Sequence, residues 1–239
     1  MLDKEIVRVK VVGEFACFTR PDLKVERMTY PCMTPSAARG ILDSILWKPE
    51  FHWYVRRINV LNPVKFFSVK RNEINSKQGK SPIIIEQRRS QRNSIILKDV
   101  AYIIEASIYQ KGPSEKNPPK KYVEMFRRRV RKGQCFRRPF LGTREFYAEF
   151  SEPIGDEVLI TTPIPIGSML FDIFYHENGK QEPVFFYDVA VENGILNCEV
   201  SENDRMMESS HITPPQYSAV RDVLYDFKIK EERDYCLEE

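Results

Sequence analysis

The stretch DVAYIIEASIYQKGPSEKNPPKKYVEMFRRRVRK, residues 99–132, decides the fold class, because an apolar segment is followed by an amphipathic basic helix. Residues 99–109 are rich in Ile, Val and Tyr, which predicts a strand. A link rich in Gly, Pro and Ser comes next. Pro118 and Pro119 then predict the start of a helix that continues to about Lys132. The chain therefore combines strands and helices.

The residues before this stretch predict three more strands and one more helix. Residues 5–12 (EIVRVKVV) alternate between apolar and polar side chains, which is typical of a half-buried strand. Thr34 is the predicted N-cap of a helix that has Pro35 at its first position. Residues 51–61 and 64–70 are separated by Asn-Pro, and we predict that they pair as a hairpin.

The resulting order, β-α-β-β-α, predicts an α+β protein with an N-terminal ferredoxin-like domain over residues 1–145. A final strand is needed to complete that domain. We assign residues 99–109 to it. The polar and basic residues 71–94 are predicted to form a long functional loop with at most a short strand inside it.

The remainder, residues 146–239, predicts a small antiparallel β domain. Its short strand-like runs are VLITTPIPI, SMLFDIFY, PVFFYDVAV and ILNCEV. Asn178-Gly179 and Asn193-Gly194 separate them and are typical of hairpin turns. Residues 217–235 have a helical pattern, so we expect a C-terminal helical segment.

Composition excludes several classes of protein. Among the 239 residues no apolar run reaches the roughly 18 residues that a membrane span needs, and the first residues lack the apolar core of a secretory signal. Five scattered cysteines form no C-x-x-C pair, so we predict neither a disulfide framework nor a zinc ribbon. We expect a cytoplasmic protein with reduced thiols and no membrane contact.

Charge is unevenly distributed, although the net charge is only +3. Residues 120–144 contain ten Lys or Arg, four aromatic residues and a single acid, Glu124. Residues 56–98 contain eleven bases against two acids, whereas residues 201–239 contain ten acids against five bases. Guanidinium groups can bind phosphates while interleaved aromatics stack on unpaired bases, so segment 120–144 predicts nucleic-acid binding. The alternative is an ordinary solvated helix face.

The sequence contains no familiar metal or phosphate motif, and we expect no cofactor. RNA can be cut without metal when its 2′-hydroxyl attacks the adjacent phosphorus and a cation stabilises the phosphorane. Lys121 can supply that cation or a proton, and Tyr122 a hydroxyl group. Tyr122 also lies on an apolar helical stripe, which favours a core position. Among the three histidines, His52 is the best catalytic candidate, but its default interpretation is a residue on a strand face.

Three segments resemble the CRISPR-associated Cas5 family, Dvulg subtype, of type I-C systems. They are GEFACFTRP (13–21), PSAARGILDSILWKP (35–49) and KYVEMFRRRVRKGQCFRRPFLGTREF (121–146). The resemblance implies an RRM/RAMP-like version of the ferredoxin-like domain. It also implies an endoribonuclease that binds the stem-loop of CRISPR repeat RNA and cleaves the precursor at the 3′ base of the hairpin without metal. Such a protein remains in the type I-C interference complex with its other subunits.

The resemblance also implies a catalytic set: a tyrosine at the end of the first helix and a Lys-His pair at the start of the second. Lys121 matches the lysine, but Tyr122 stands in place of the histidine and Leu46 in place of the tyrosine. A leucine has no proton to donate, so Tyr122 or His52 must substitute, or cleavage is slow or lost.

Candidate RNA-binding residues share a place on the basic helix or in the glycine-containing loop after it: Arg127, Arg128, Arg131, Gly133, Arg137, Arg138, Gly142 and Arg144. Glycine can bring backbone N–H groups close to phosphate. Alternatively, Gly142 only turns the chain, and we expect Phe136, Phe140 and Leu141 to pack at a domain junction.

Two other functions remain open alongside the endoribonuclease. The chain can be a subunit that binds the 5′ handle of the crRNA without cleaving it. It can also be a general binder of RNA or double-stranded DNA through its basic face.

Overall fold

The structure is a computed structural model that describes residues 5–23, 26–74, 76, 79, 81–110, 117–175 and 181–199. Within these residues, three helices are α1 (Pro35–Ile45), α2 (Ile85–Arg88) and α3 (Pro119–Arg131). Nine strands are β1 (Val7–Ala16), β2 (Arg27–Met28), β3 (Phe51–Val60), β4 (Phe66–Ile74), β5 (Arg89–Gln110), β6 (Glu149–Ser151), β7 (Ile164–Tyr175), β8 (Gln181–Glu192) and β9 (Ile195–Asn197).

Four strands and two helices form a ferredoxin-like unit. The strands lie in the order β6-β1-β5-β3, all antiparallel to their neighbours, and the chain order is β1-α1-β3-β5-α3-β6. This is the split βαβ arrangement, in which a strand inserts between two others that a helix connects. The α+β fold class predicted from the sequence is confirmed.

The fourth strand of this unit is β6, so the assignment of residues 99–109 to the final position was wrong. Those residues belong to β5, which lies between β1 and β3 at the centre of the sheet. β6 pairs with β1 over only three residues, too few for a recognisable period in the sequence. It also lies after residue 145. The division into domains at that residue stays a prediction.

The predicted hairpin between residues 51–61 and 64–70 was also wrong. β3 pairs with β5 and β9, while β4 pairs with the first half of β5. Consequently residues 71–74 and 89–94, predicted as loop, are paired strand, and α2 lies between them. Alternation of side chains identifies a strand but does not identify its partner. The two-stranded arm formed by β4 and the first half of β5, called the β4–β5 arm below, is largely exposed on both faces, which explains why its residues are polar.

The later strands extend the same sheet. β9 pairs with β3, β8 with β9, and β7 with β8. The turn at Asn193-Gly194 is confirmed, and both residues have positive φ, as a type I′ hairpin turn requires. Residues 158–163 were predicted as part of a strand but precede β7 without regular structure. Asn178-Gly179 and the helical pattern of residues 217–235 lie outside the described residues.

The core lies between the sheet and helices α1 and α3. Thr34 caps α1 by accepting a hydrogen bond from the Ala37 N–H at 3.2 Å, as predicted. Aromatic rings link α3 to β3: Phe51 lies 4.9 Å from Tyr122 and Trp53 lies 4.8 Å from Phe126, measured between ring centroids. These contacts fix which side of α3 faces the core.

Two compositional predictions can be compared with the structure. Four of the five cysteines lie in the described ranges and are free thiols: Cys17, Cys32, Cys135 and Cys198. No helix in the described part of the chain is long and apolar enough to cross a membrane.

Candidate functional site

The basic helix α3 presents two chemically different sides. Its buried stripe consists of Tyr122, Val123, Phe126 and Val130. The side chains on the solvent side include Lys121, Glu124, Arg127, Arg128 and Arg131. Because α3 is amphipathic with cations on its outer side, its fold leaves a cationic surface next to solvent.

The cations of this surface are only weakly neutralised. Arg127 lies 3.6 Å from a carboxylate oxygen of Glu5, and Arg131 lies 3.4 Å from Glu152. Both pairs are solvent-exposed, and such pairs contribute about 0 to 1 kcal/mol. Arg128 is exposed and has no ion pair with the residues that the structure describes. A polyanion can therefore replace these contacts at little cost.

Arg129 has a different task from its neighbours. Its Nη1 donates a hydrogen bond at 2.6 Å to the Ile45 carbonyl at the end of α1. A cation at a helix C-terminus satisfies a free carbonyl and interacts favourably with the helix dipole. Arg129 is not among the RNA-binding residues predicted from the sequence. Its spacing from Phe126 and Val130 puts it beside the buried stripe, which is the signal for a structural role.

Lys121 lies at the exposed start of α3. Its Nζ donates a hydrogen bond at 2.9 Å to Asn117 Oδ1 and lies 6.0 Å from the centre of the Tyr122 ring. Tyr122 itself is only 2% exposed, with its ring against Phe51. Burial raises the pKa of the Tyr122 hydroxyl, and the charge of Glu50 adds to that rise. Tyr122 is therefore a core residue, as the alternative interpretation predicted, and a hydroxyl with a raised pKa supplies little phenolate to act as a general base.

The structure does not bring His52 to Lys121. Phe51 and Trp53 point toward the helices, where they contact Tyr122 and Phe126. His52 lies between them on β3, so its side chain points to the opposite face of the sheet, where it is exposed. The sheet therefore separates the two candidates.

Leu46, where the resemblance implies a tyrosine, is fully buried. Its carbonyl accepts a hydrogen bond from Trp53 Nε1 at 2.9 Å. The side chain at this position is thus part of the core and offers no polar atom to a substrate.

The loop after α3 begins with a Schellman motif. Gly133 has φ of 62°, its N–H donates to the Val130 carbonyl at 3.1 Å, and the Gln134 N–H donates to the Arg129 carbonyl at 2.9 Å. These are the two bonds that end a helix at a left-handed residue. The immediate role of Gly133 is therefore to terminate α3.

Gly142 turns the chain against β1. A Cβ atom here would lie 2.0 Å from the Cys17 carbonyl oxygen, and φ is 85°. The neighbouring Leu141 carbonyl accepts a hydrogen bond from the Cys17 N–H at 3.0 Å. Gly142 thus allows a close backbone approach within the protein, which matches the alternative in which it only turns the chain.

The rest of this loop divides into a buried and an exposed part. Leu141 is buried and Phe140 half-buried, as expected for residues that pack at a junction. Phe136 was expected to pack with them but is 80% exposed, because its backbone is held at the end of α1 with the ring outside the core. Arg137 and Arg144 are exposed.

Arg138 stacks its guanidinium 4.0 Å from the centre of the Tyr147 ring. Arg71, on the β4–β5 arm, forms an ion pair with Glu145 and so links the arm to this loop.

In the described part of the chain, no three His, Cys, Asp or Glu side chains gather as metal ligands.

A family model described as CRISPR-associated protein (Cas_Cas5) matches residues 6–203. The chain belongs to this family. Two curated relatives of the Cas5 chain carry the name "CRISPR pre-crRNA endoribonuclease Cas5d". The relative from Thermus thermophilus is 48% identical over 180 residues, which cover 75% of this chain and 78% of the relative. The relative from Mannheimia succiniciproducens is 40% identical over 215 residues, which cover 80% of this chain and 93% of the relative.

A solved structure also resembles this Cas5 chain. It is a crystal structure of a CRISPR-associated protein, with 23% identity and a TM-score of 0.61 over 82% of this chain and 92% of that chain. At this identity the likeness concerns the fold, and it agrees with the ferredoxin-like unit described above.

Proposed function

We propose that this Cas5 chain is a CRISPR pre-crRNA endoribonuclease. The observation that carries the proposal is that relatives 48% and 40% identical, matched over 75% and 80% of this chain, both have that name. The exposed cationic side of α3 supports it, because an enzyme that acts on RNA needs a surface for phosphates.

The RNA-binding residues that we propose are those of α3 and of the loop that follows it. Arg127, Arg128 and Arg131 lie on the outer side of one helix. Arg137, Arg138 and Arg144 continue the cationic surface along the loop. Planar guanidinium groups bind phosphate through two parallel hydrogen bonds, so a hairpin backbone can bind along this surface. Gly133 and Gly142 contribute by shaping the loop.

Lys121 is the catalytic group that we propose. A solvent water takes the proton of the 2′-hydroxyl, the 2′-oxygen attacks the adjacent phosphorus, the bond to the 5′-oxygen breaks, and a cyclic phosphate forms. The Lys121 ammonium stabilises the phosphorane and gives a proton to the leaving 5′-oxygen. No metal takes part in these steps. Tyr122 supports Lys121 through its packed ring, and we assign His52 no part at this phosphate because it points to the other face of the sheet.

A second candidate is the same RNA-binding subunit without cleavage. The buried Leu46 favours it, since this position supplies no proton donor. In both cases we expect the protein to stay with the crRNA 5′ handle and with other subunits of a type I-C interference complex. Binding of double-stranded DNA by the same cationic surface is a weaker proposal, since duplex and hairpin phosphates attract the same guanidinium groups.

The decisive experiment is cleavage of the cognate CRISPR repeat RNA in excess EDTA, followed on a denaturing gel. Wild type should cut at the 3′ base of the hairpin. Lys121→Ala should reduce the single-turnover rate by roughly 10²- to 10³-fold while RNA affinity stays the same. Lys120→Ala is the matched control, since it removes a neighbouring exposed cation on the same helix.

The outcomes separate the candidates. Intact RNA that is nevertheless bound tightly by wild type would establish the binding subunit. Equal rate losses for Lys120→Ala and Lys121→Ala would contradict the catalytic assignment and make both lysines phosphate ligands. Equal affinity for the hairpin and an unrelated DNA duplex would support the general binder.

A further inference from the structure

Two large aromatic side chains lie exposed near the end of α1. Trp47 is 56% exposed and Phe136 is 80% exposed. Trp47 follows α1 directly, and Phe136 lies in the loop after α3. By contrast, Phe51, Trp53 and Phe126, which pack between β3 and α3, are buried. Large apolar side chains that remain exposed on a folded protein often mark a binding site.

The backbone on both sides of these rings is held in place. The Ser44 carbonyl accepts hydrogen bonds from the Phe136 N–H at 2.9 Å and the Arg137 N–H at 3.1 Å. The next two carbonyls along the chain also accept hydrogen bonds, that of Ile45 from the Arg129 side chain and that of Leu46 from Trp53 Nε1. The end of α1 thus joins the two segments and presents both rings from a fixed backbone, which reduces the entropy lost on binding.

Segment 46–51 also lies beside the proposed catalytic helix. Ile45 contacts Arg129 in the second half of α3, and Phe51 contacts Tyr122 in its first turn. Trp47 falls between these two contacts along the chain. Trp47 therefore lies in a segment whose two ends both contact the helix that carries Lys121.

Tyr147, another exposed aromatic residue near the loop, differs from these two in having a stacked partner. The Tyr147 ring has the Arg138 guanidinium stacked 4.0 Å from its centre. Among the described residues, neither Trp47 nor Phe136 has a ring–ring or cation–π contact. Each ring therefore has exposed surface on which a planar ligand can stack.

We infer that Trp47 and Phe136 form a stacking platform for unpaired nucleotides that flank the repeat hairpin. The inference rests on the proposed function and adds the part of the RNA that these rings recognise. Within four residues of the two rings in sequence, the bases are Lys48, Lys132, Arg137 and Arg138, and the acids are Asp43 and Glu50. Aromatic rings among cations bind single-stranded nucleic acid by stacking on bases while the cations bind phosphates.

The ligand that fits this platform is single-stranded RNA, because bases that are stacked inside a helix have no free face for a protein ring. Bases that flank a hairpin are unstacked on at least one side and can lie on a protein ring. The platform therefore predicts that the protein distinguishes a hairpin with an unpaired flank from a blunt-ended hairpin of the same stem.

The first test compares the affinity of the full chain for these two RNAs. Wild type should bind the flanked hairpin more tightly. Trp47→Ala and Phe136→Ala should each reduce that advantage by about tenfold, since one stacked base contributes roughly a factor of 5 to 150. Phe136→Tyr should retain it because the ring remains. Val158→Ala is a control for loss of an exposed apolar side chain elsewhere in the chain.

The second test uses the tryptophan emission. The chain has two tryptophans, and Trp53 is buried, so Trp47 is the one that a base can reach. The flanked hairpin should quench the emission of wild type but not that of Trp47→Phe, while the blunt hairpin should quench neither.

Three outcomes would overturn an assignment. A flank advantage that both alanine variants retain in full would overturn the platform and leave the proposed function intact. Unchanged wild-type emission on binding the flanked hairpin would also overturn the platform. Failure of wild type to bind either hairpin would instead overturn the proposed function.

Discussion

The stretches 56–98 and 120–144 are similarly basic in sequence but use their charges differently in the fold. In the first, four of the nine bases that the structure describes pair with acids: Arg56–Glu199 at 2.6 Å, Lys65–Asp99 at 3.4 Å, Arg92–Glu73 at 3.6 Å, and Arg71 with Glu145 and Glu73. In the second, the pairs are exposed and Arg128 has none among the described residues. A count of cations therefore does not measure the charge that is available to a ligand.

Burial explains the difference. The side chains of Arg71 and Glu73 are only 18% and 19% exposed, so each charge needs an oppositely charged partner to offset the loss of hydration. The outer side of α3 faces solvent, and its cations remain hydrated without one. Paired charges hold the β4–β5 arm to the rest of the fold, whereas unpaired charges can bind RNA.

The largest expected effect concerns the loop that holds the second stretch in place. Gly142→Ala places a Cβ against the Cys17 carbonyl and requires a left-handed alanine. We expect a loss of about 3 kcal/mol or more in the free energy of unfolding, measured by denaturant titration. The control is Gly155→Ala, which shares a positive φ but has no atom within 4 Å of the new Cβ. It should cost about 1 kcal/mol. Equal losses would show that the close approach to Cys17 is unimportant.

A smaller effect separates the two stretches directly. Arg128→Ala should weaken hairpin binding severalfold and lower the slope of log K against log salt by about 1, since one phosphate contact is lost. Arg92→Ala should change neither quantity, because Arg92 already faces Glu73. If both variants behave alike, the pairing seen in the fold does not decide which cations bind RNA.

Within α3 itself, Arg129→Ala should act on stability and not on binding. It removes the hydrogen bond to the Ile45 carbonyl, and we expect a loss of about 1 to 2 kcal/mol in the free energy of unfolding. The salt slope of binding should match wild type. A reduced slope with unchanged stability would place Arg129 among the phosphate ligands.

The smallest effect tests a paired carboxylate by pH. The Ile154 N–H, followed by the Gly155 N–H and Lys10, lowers the pKa of Glu157 from 4.5 to about 2. Because the pKa is lower in the folded protein, the Glu157 carboxylate stabilises the fold above pH 4.5, and this contribution disappears as the pH falls from 4.5 to 2. The free energy of unfolding of wild type should therefore be larger than that of Glu157→Gln at pH 6, and this difference should vanish near pH 2. A difference independent of pH would refute this assignment.

Local patterns predicted individual elements well. The alternation of residues 5–12, the Thr34-Pro35 start of α1 and the Pro-Pro start of α3 all describe interactions within a few residues, and each element is present. The same local patterns did not predict which strands pair with each other. Nothing in residues 51–70 shows that β3 pairs with β5 and β9, and three-residue β6 has too little pattern to be recognised.

The sequence likewise predicted some features of the candidate site and missed others. The concentration of Arg in residues 120–144 predicted a cationic helix, but the sequence did not distinguish Arg129 at the end of α1 from Arg128 in solvent. It also gave His52 as a possible substitute in the catalytic set with Lys121, whereas the sheet separates the two residues. The exposed Phe136 and the Schellman role of Gly133 depend on where the loop meets α1.

The sequence by itself determined the helix and strand types, the α+β class, the family resemblance and the segment that carries positive charge, because periodicity, capping and composition act locally along the chain. Only the tertiary structure decided strand order, which cations are neutralised, and which aromatics face solvent. Those properties arise from contacts between residues far apart in the sequence, such as Arg129 with Ile45, Arg71 with Glu145 and Gly142 with Cys17.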